Sequence, residues 1–183
     1  MSITSVKSGA TGISLALDNN FMEPIATTLV GSGGVNQVTF LDIPQNYKHL
    51  QIRGIALSAS TPRIYIRYNG DGASNYTYHF LEGNGSSAVA SAGANQTENW
   101  LFINGFIASS TPSPFVVDIL DYANSNKFKT IRSLHGGDNN SAGNIALCSG
   151  LWRDTTAITS IQLFTSSSTF SQYSRFSLYG IKG

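Results

Sequence analysis

Arg63-Ile64-Tyr65-Ile66-Arg67-Tyr68 is the stretch on which the fold turns. Side chains of an extended chain point alternately to opposite faces, so Ile64, Ile66 and Tyr68 share one face and Arg63, Tyr65 and Arg67 the other. That is the signature of a half-buried strand. Tyr76, Tyr78 and Phe80 form a second stripe of this kind, opposite Thr77, His79 and Leu81. Working outward, similar β-like runs are expected at Ala26–Val30, Gln37–Leu41, His49–Leu57, Trp100–Ile107, Phe115–Leu120, Phe128–Leu134, Ile145–Trp152, Ile158–Phe164 and Arg175–Ile181. Between them lie Gly31-Ser32-Gly33-Gly34, Asn69-Gly70-Asp71-Gly72, Glu82-Gly83-Asn84-Gly85 and Gly136-Gly137-Asp138-Asn139-Asn140, whose Gly and Asn tolerate the positive φ of tight turns. Asn69-Gly70 reads as a hairpin corner.

No window of a dozen residues carries apolar side chains at helical spacing, and one short turn near Asp121–Asn126 is the only helical element expected. Many short strands with turns at this spacing predict an all-β chain, an antiparallel β-sandwich of jelly-roll type with little or no helix. Residues 21–183 form the sandwich domain in this reading. Met1–Asn20 is an N-terminal arm or a first strand, in which Ile13, Leu15 and Leu17 alternate with small residues. Ser86–Thr97, rich in Ser, Ala, Gly and Asn, is expected as the longest surface loop, and no internal repeat is seen.

The chain has 183 residues, enough for one ordinary core, and only 11% of them are charged, against about 25% in an ordinary soluble domain. Eleven basic and ten acidic residues leave a net charge of +1 without any basic cluster, which argues against nucleic acid as a partner. No apolar run approaches the roughly 20 residues of a membrane span, and the first ten residues lack the layout of a secretory signal. The expectation is therefore a protein of the cytosol, or one released by lysis, for which the sequons at Asn75, Asn84 and Asn95 mean little. One cysteine, Cys148, excludes an internal disulfide and multi-thiolate metal sites, and reads as a small buried hydrophobe.

Candidate chemistry is sparse, and no catalytic, cofactor-binding or metal-ligating residue is assigned. His49, His79 and His135 are far apart in sequence and lack the spacing of a zinc site. The nucleophile-elbow pattern is missing. Asp118 and Asp121 are the best carboxylates for a glycosidase pair, with bonding to nearby backbone as the plainer role. Asn69–Asn75 offers oxygen ligands for calcium but brings one carboxylate and no closing Glu. Gly31-Ser32-Gly33-Gly34 runs into a strand pattern with no helix and no Lys, so it is a turn and not a phosphate cradle. Trp100 and Trp152 are candidates for stacking on sugars, with core packing as the competing role.

What is missing carries more weight. A β protein normally blunts its edge strands with charges, Lys or Pro. This chain has few charges to place there, which predicts a permanent oligomer or a position in a larger assembly.

Several stretches carry a resemblance. They are Glu23–Thr28 with Val30–Gly34, Ile43–Arg53, Tyr68–Asp71, Asn75-Tyr76, Asp121–Asn124, Gly150–Trp152, Ala157–Ile161 and the closing Phe176–Gly183. In this order they resemble a family of small virion proteins of tailed bacteriophages, especially those of cyanobacteria and marine bacteria. The resemblance spans about Phe21 to Gly183 and implies a non-enzymatic structural protein of the particle, with no catalytic residues to carry over. The expected role is a capsid cement or decoration protein, a homo-oligomer and in particular a trimer, which bridges major capsid proteins on the head. In it Ile13, Leu15 and Leu17 would add a strand to a neighbour's sheet. The alternative is a tail-fibre or tail-tip module that presents Ser86–Thr97 with Trp100 or Trp152 to a host glycan or receptor.

Overall fold

A computed structural model of the chain describes residues 21–60, 62–102, 111–140 and 142–183. Among them are twelve strands and no helix: β1 (Met22–Leu29), β2 (Gln37–Phe40), β3 (His49–Ala56), β4 (Ile64–Tyr68), β5 (Tyr76–Gly83), β6 (Ala88–Gln96), β7 (Asn99–Phe102), β8 (Ser113–Leu120), β9 (Lys129–Asn139), β10 (Ala142–Trp152), β11 (Ile161–Thr165) and β12 (Arg175–Ile181). All pairings are antiparallel. They build an eight-stranded sheet in the order β1-β12-β3-β8-β9-β10-β5-β6 and a four-stranded sheet in the order β2-β11-β4-β7. The all-β sandwich class expected from the alternation is what the chain adopts.

The core lies between the two sheets. Ile64, Ile66 and Tyr68 of β4 are fully buried, as their spacing predicts, and meet Ile161 and Leu163 of β11. Opposite them the large sheet contributes Leu50 and Ile52, Val117 and Ile119, and Phe176 and Leu178, two from each of three neighbouring strands. Burying each such side chain contributes about 1.5–3 kcal/mol. Two glycines make room for aromatic rings against the large sheet. A Cβ on Gly54 would sit 2.3 Å from the Phe115 ring, and one on Gly180 would sit 2.3 Å from the Tyr47 ring.

Several boundaries differ from the sequence expectation, each for a physical reason. Ser86–Thr97 is not a loop. Ala88–Gln96 pairs with β5 as an edge strand, because a ready-made neighbour can hold small residues of weak strand preference in a ladder. Gly136–Asn139 is the end of β9 and not a turn; the pairing with β10 runs on to Asn139 opposite Ala142, and the reversal falls at Asn140, φ 48°. Asn69 and Gly70 do take positive φ, 51° and 68°, and Asp71 N donates to Tyr68 O at 2.9 Å. However, β4 and β5 belong to different sheets, so this corner passes the chain between layers and closes no hairpin. β1 begins ahead of Pro24, which an edge strand accepts at a register shift between Pro24 and Ala26. Residues 121–126 form turns, not a helix, and Ile158 precedes β11 as a buried loop residue.

Candidate assembly surface

In one half of the large sheet apolar side chains face solvent while polar ones are buried. Among the inward positions of β5, β9 and β10 there, Glu82, Ser133, His135 and Asn144 are at most 8% exposed, beside buried Ala146 and Cys148, and Ser133 Oγ donates to Leu101 O of β7. The outward positions of the same strands are Leu81, Leu134, Ile145 and Leu147, exposed by 53%, 42%, 60% and 54%. A one-sided sheet ordinarily turns the apolar set inward. Here the strand phase is pinned by the core half of each strand, by Ile131 on β9, Trp152 on β10 and Tyr76 on β5. Period-two alternation then forces the leucines outward.

The register gathers these side chains into a row. Val116 lies opposite Leu134, Leu134 opposite Leu147, Leu147 opposite Leu81, and Leu81 opposite Ala90. Ile145 lies on the same face, between Gly136 and Gly83, so it stands clear of its neighbours. A broad depression of about 1050 Å³ is bordered by Arg53, Pro114, Val116, Leu134 and Ile145. The next row is polar: Gln51, Asp118, Arg132, Ser149 and His79, in register from β3 to β5. An exposed, contiguous apolar row rimmed by polar side chains is the form a protein-binding surface takes.

The row ends on an undefended edge. β6, Ala88-Val89-Ala90-Ser91-Ala92-Gly93-Ala94-Asn95-Gln96, has no charge and no Pro over nine residues. The other edges are handled differently. β1 carries Glu23, Pro24 and a bulge, with Glu23 held by Lys182 at 2.5 Å and by the Tyr47 hydroxyl at 2.9 Å. β2 and β7 are four residues each. Short strands, bulges, Pro and charge are the usual defences. Ala88–Gly93 of β6 has none of them; the register shift of this strand lies beyond, between Gly93 and Gln96, where Asn95 takes φ 55°.

The candidate chemical groups are engaged elsewhere. Asp71 Oδ1 accepts from Ala73 N, and its Oδ2 accepts from Asn75 Nδ2 and Trp152 Nε1, so protein donors already fill the loop considered for calcium. Asp118 accepts from Gln51 Nε2 at 2.7 Å. Lys127 and Lys48 hold the Asp121 carboxyl down to about 2, the opposite of a general acid. His49 Nδ1 accepts from Asp121 N, His79 is exposed on β5, and burial pushes His135 down to about 4. Burial pushes the Cys148 thiol up to about 11, so it is an inert part of the interior. Among the described residues no three His, Cys, Asp or Glu converge on a metal position, and no helix is long and apolar enough to cross a membrane.

Trp152, considered as a ligand surface, is 1% exposed and packs with Tyr68 and Tyr76. Trp100 is half-buried. Tyr78 stacks on its ring at 4.0 Å and the Arg63 guanidinium lies over it at 4.4 Å. Both indoles are already packed against neighbouring side chains. Ile13, Leu15 and Leu17, considered for assembly, lie outside the described residues.

Leu81, Leu134, Ile145 and Leu147 were not singled out in the sequence, although a signal for them exists. In Ile145-Ala146-Leu147-Cys148 both strand phases are apolar, and in Ile131-Arg132-Ser133-Leu134 the apolar phase switches. No protein-family model, no curated protein and no solved structure matches the chain.

Proposed function

We propose that the chain is a non-enzymatic structural protein of a phage particle, a capsid cement or decoration protein. It acts as a homo-oligomer on the outside of the head, after assembly in the host cytoplasm, and bridges neighbouring major capsid proteins. The observation that carries this reading is the apolar row Leu81, Leu134, Ile145 and Leu147, turned to solvent on a half-sheet whose other face buries Glu82, Ser133, His135 and Asn144. Each copy supplies a modest apolar contact, and attachment multiplies over many copies. The order of phage-like motifs from Phe21 to Gly183 supports the same reading. A tail-fibre module has less behind it, because the aromatic rings it would present to a glycan, Trp100 and Trp152, are already packed.

The test is the amount of this chain in purified particles, measured by quantitative gel or mass spectrometry against the major capsid protein. A ratio of the same order as the major capsid protein is expected. A few copies per particle would instead place the chain in a tail structure and remove the cement role.

A further inference from the structure

We infer that β6 is a pairing edge for a second copy of this chain, joined antiparallel across a two-fold axis at Ala90. The argument begins with what β6 lacks. Seven of its residues, Ala88 to Ala92 with Ala94 and Asn95, are exposed, so the strand gains little from the core of its own copy. Its small side chains leave the backbone open to approach from the side, and Ala88–Gly93, the part in regular register with β5, carries no charge, no Pro and no bulge against an incoming strand.

The occupant follows from the edges available. A head-to-tail ring, such as the trimer expected above, would join β6 to an unlike edge of the neighbour. β1 is obstructed for that by Pro24, which leaves Ala26–Leu29 as its regular part, β2 has four residues, and β7 has four among those described. Like with like remains, and a self-complementary contact closes on two copies.

The register follows as well. Residues opposite each other in an antiparallel pair share a face, so a two-fold pairing of β6 must be centred on one residue facing its own copy. Ala90 is that residue, because it ends the apolar row. With Ala90 opposite Ala90 of the second copy, Val89 meets Ser91 and Ala88 meets Ala92. The row from Val116 through Leu134, Leu147 and Leu81 then continues without a break into the row of the second copy. Four strand spacings on each side and one across the axis lengthen it from about 20 Å to about 40 Å.

The pairing covers the edge and leaves the doubled row open for another surface. The inference therefore stands independently of the capsid role and sharpens it. Strand pairing alone is narrow beside the roughly 1,200–2,000 Å² of a stable interface, so the association expected is weak and reversible.

The test uses the full chain with single cysteines on β6. Ala90→Cys is expected to give a disulfide-linked dimer on mild copper-catalysed air oxidation. Ala92→Cys is expected to stay largely monomeric, because the two thiols are then about four residues, roughly 13 Å, apart along the strand. Oxidised wild type, whose Cys148 is buried, is the control. In sedimentation velocity, wild type is expected to move from monomer to dimer over the micromolar range, and Ala90→Lys, with like charges opposed, to remain monomer with an unchanged circular dichroism spectrum. Monomeric wild type at every concentration, equal linking of both cysteine variants, or a dimer that survives Ala90→Lys would each overturn the pairing. None of these outcomes bears on the copy number in particles, so the two ideas fail separately.

Discussion

Lys129 is a charged residue that the fold has absorbed completely. It is fully buried, and its ammonium donates to the carbonyls of Asn124, Lys127 and Thr155 at 2.5, 3.0 and 2.9 Å. Three donors meeting three acceptors tie the turn after β8 to the loop after β10. Replacing the ammonium by an apolar end, as in Lys129→Met, is expected to cost about 3 kcal/mol by stranding those carbonyls. A lowered urea midpoint with unchanged slope would record it. His135 makes a second residue-scale prediction. Buried as a neutral ring, it takes up a proton near pH 4 when folded and near 6.5 when unfolded. The unfolded chain binds the extra proton between those values, so stability is fully present above pH 6.5 and falls as the pH drops toward 4, by up to about 3 kcal/mol. Thermal melts between pH 7 and 4 should show this slope, and His135→Gln should flatten it. Asp121 acts in a lower window: its folded value near 2 lies below 3.8, so its contribution is lost only as the pH falls beneath about 4.

At the scale of elements, close ring-on-glycine packing sets what the large sheet tolerates. Gly54 faces Phe115 in register on β8, and an added methyl would need the ring to leave a site at 2.3 Å. Gly54→Ala is expected to destabilise the fold by about 1–3 kcal/mol, read as a lowered melting temperature, whereas Gly83→Ala meets nothing within 4 Å and should cost less. The same scale explains which strands were legible. β4 and β5 alternate large apolar with polar side chains and stand where that pattern puts them, as do β8 and β12. β6 was illegible because nothing in Ala-Val-Ala-Ser-Ala-Gly-Ala buries a face, and only its pairing to β5 makes it a strand. The far ends of β9 and β10 were hidden by glycines that usually mark turns, Gly136, Gly137 and Gly143, but here run inside an extended ladder.

For the whole molecule, low charge meant more than a mild net balance. It predicted covered edges, and the described residues locate the exposed edge at β6 and add an apolar row that alternation alone could not reveal. That row depends on which half of a strand sits over the small sheet, a fact of three-dimensional layering. Every strand described lies within residues 22–181. Deleting residues 1–20 separates the arm from the first strand that the sequence offers for them: loss of an arm is expected to leave the circular dichroism spectrum and cooperative melting in place while weakening attachment to particles, measured by co-sedimentation. Loss of cooperative melting in the truncated chain would instead make those residues part of the folded unit.

The adjacency of β1 and β12, with Met22 opposite Ile181, has a consequence for how the fold is encoded. The first and last of the described strands are neighbours, so a short peptide linker from residue 183 to residue 21 would close the described backbone into a loop. New ends could then be cut at the Asn84–Ser87 bend, next to β6. Such a circular permutant would keep both sheets and every pairing while placing a fused cargo beside the edge instead of across the sheet from it.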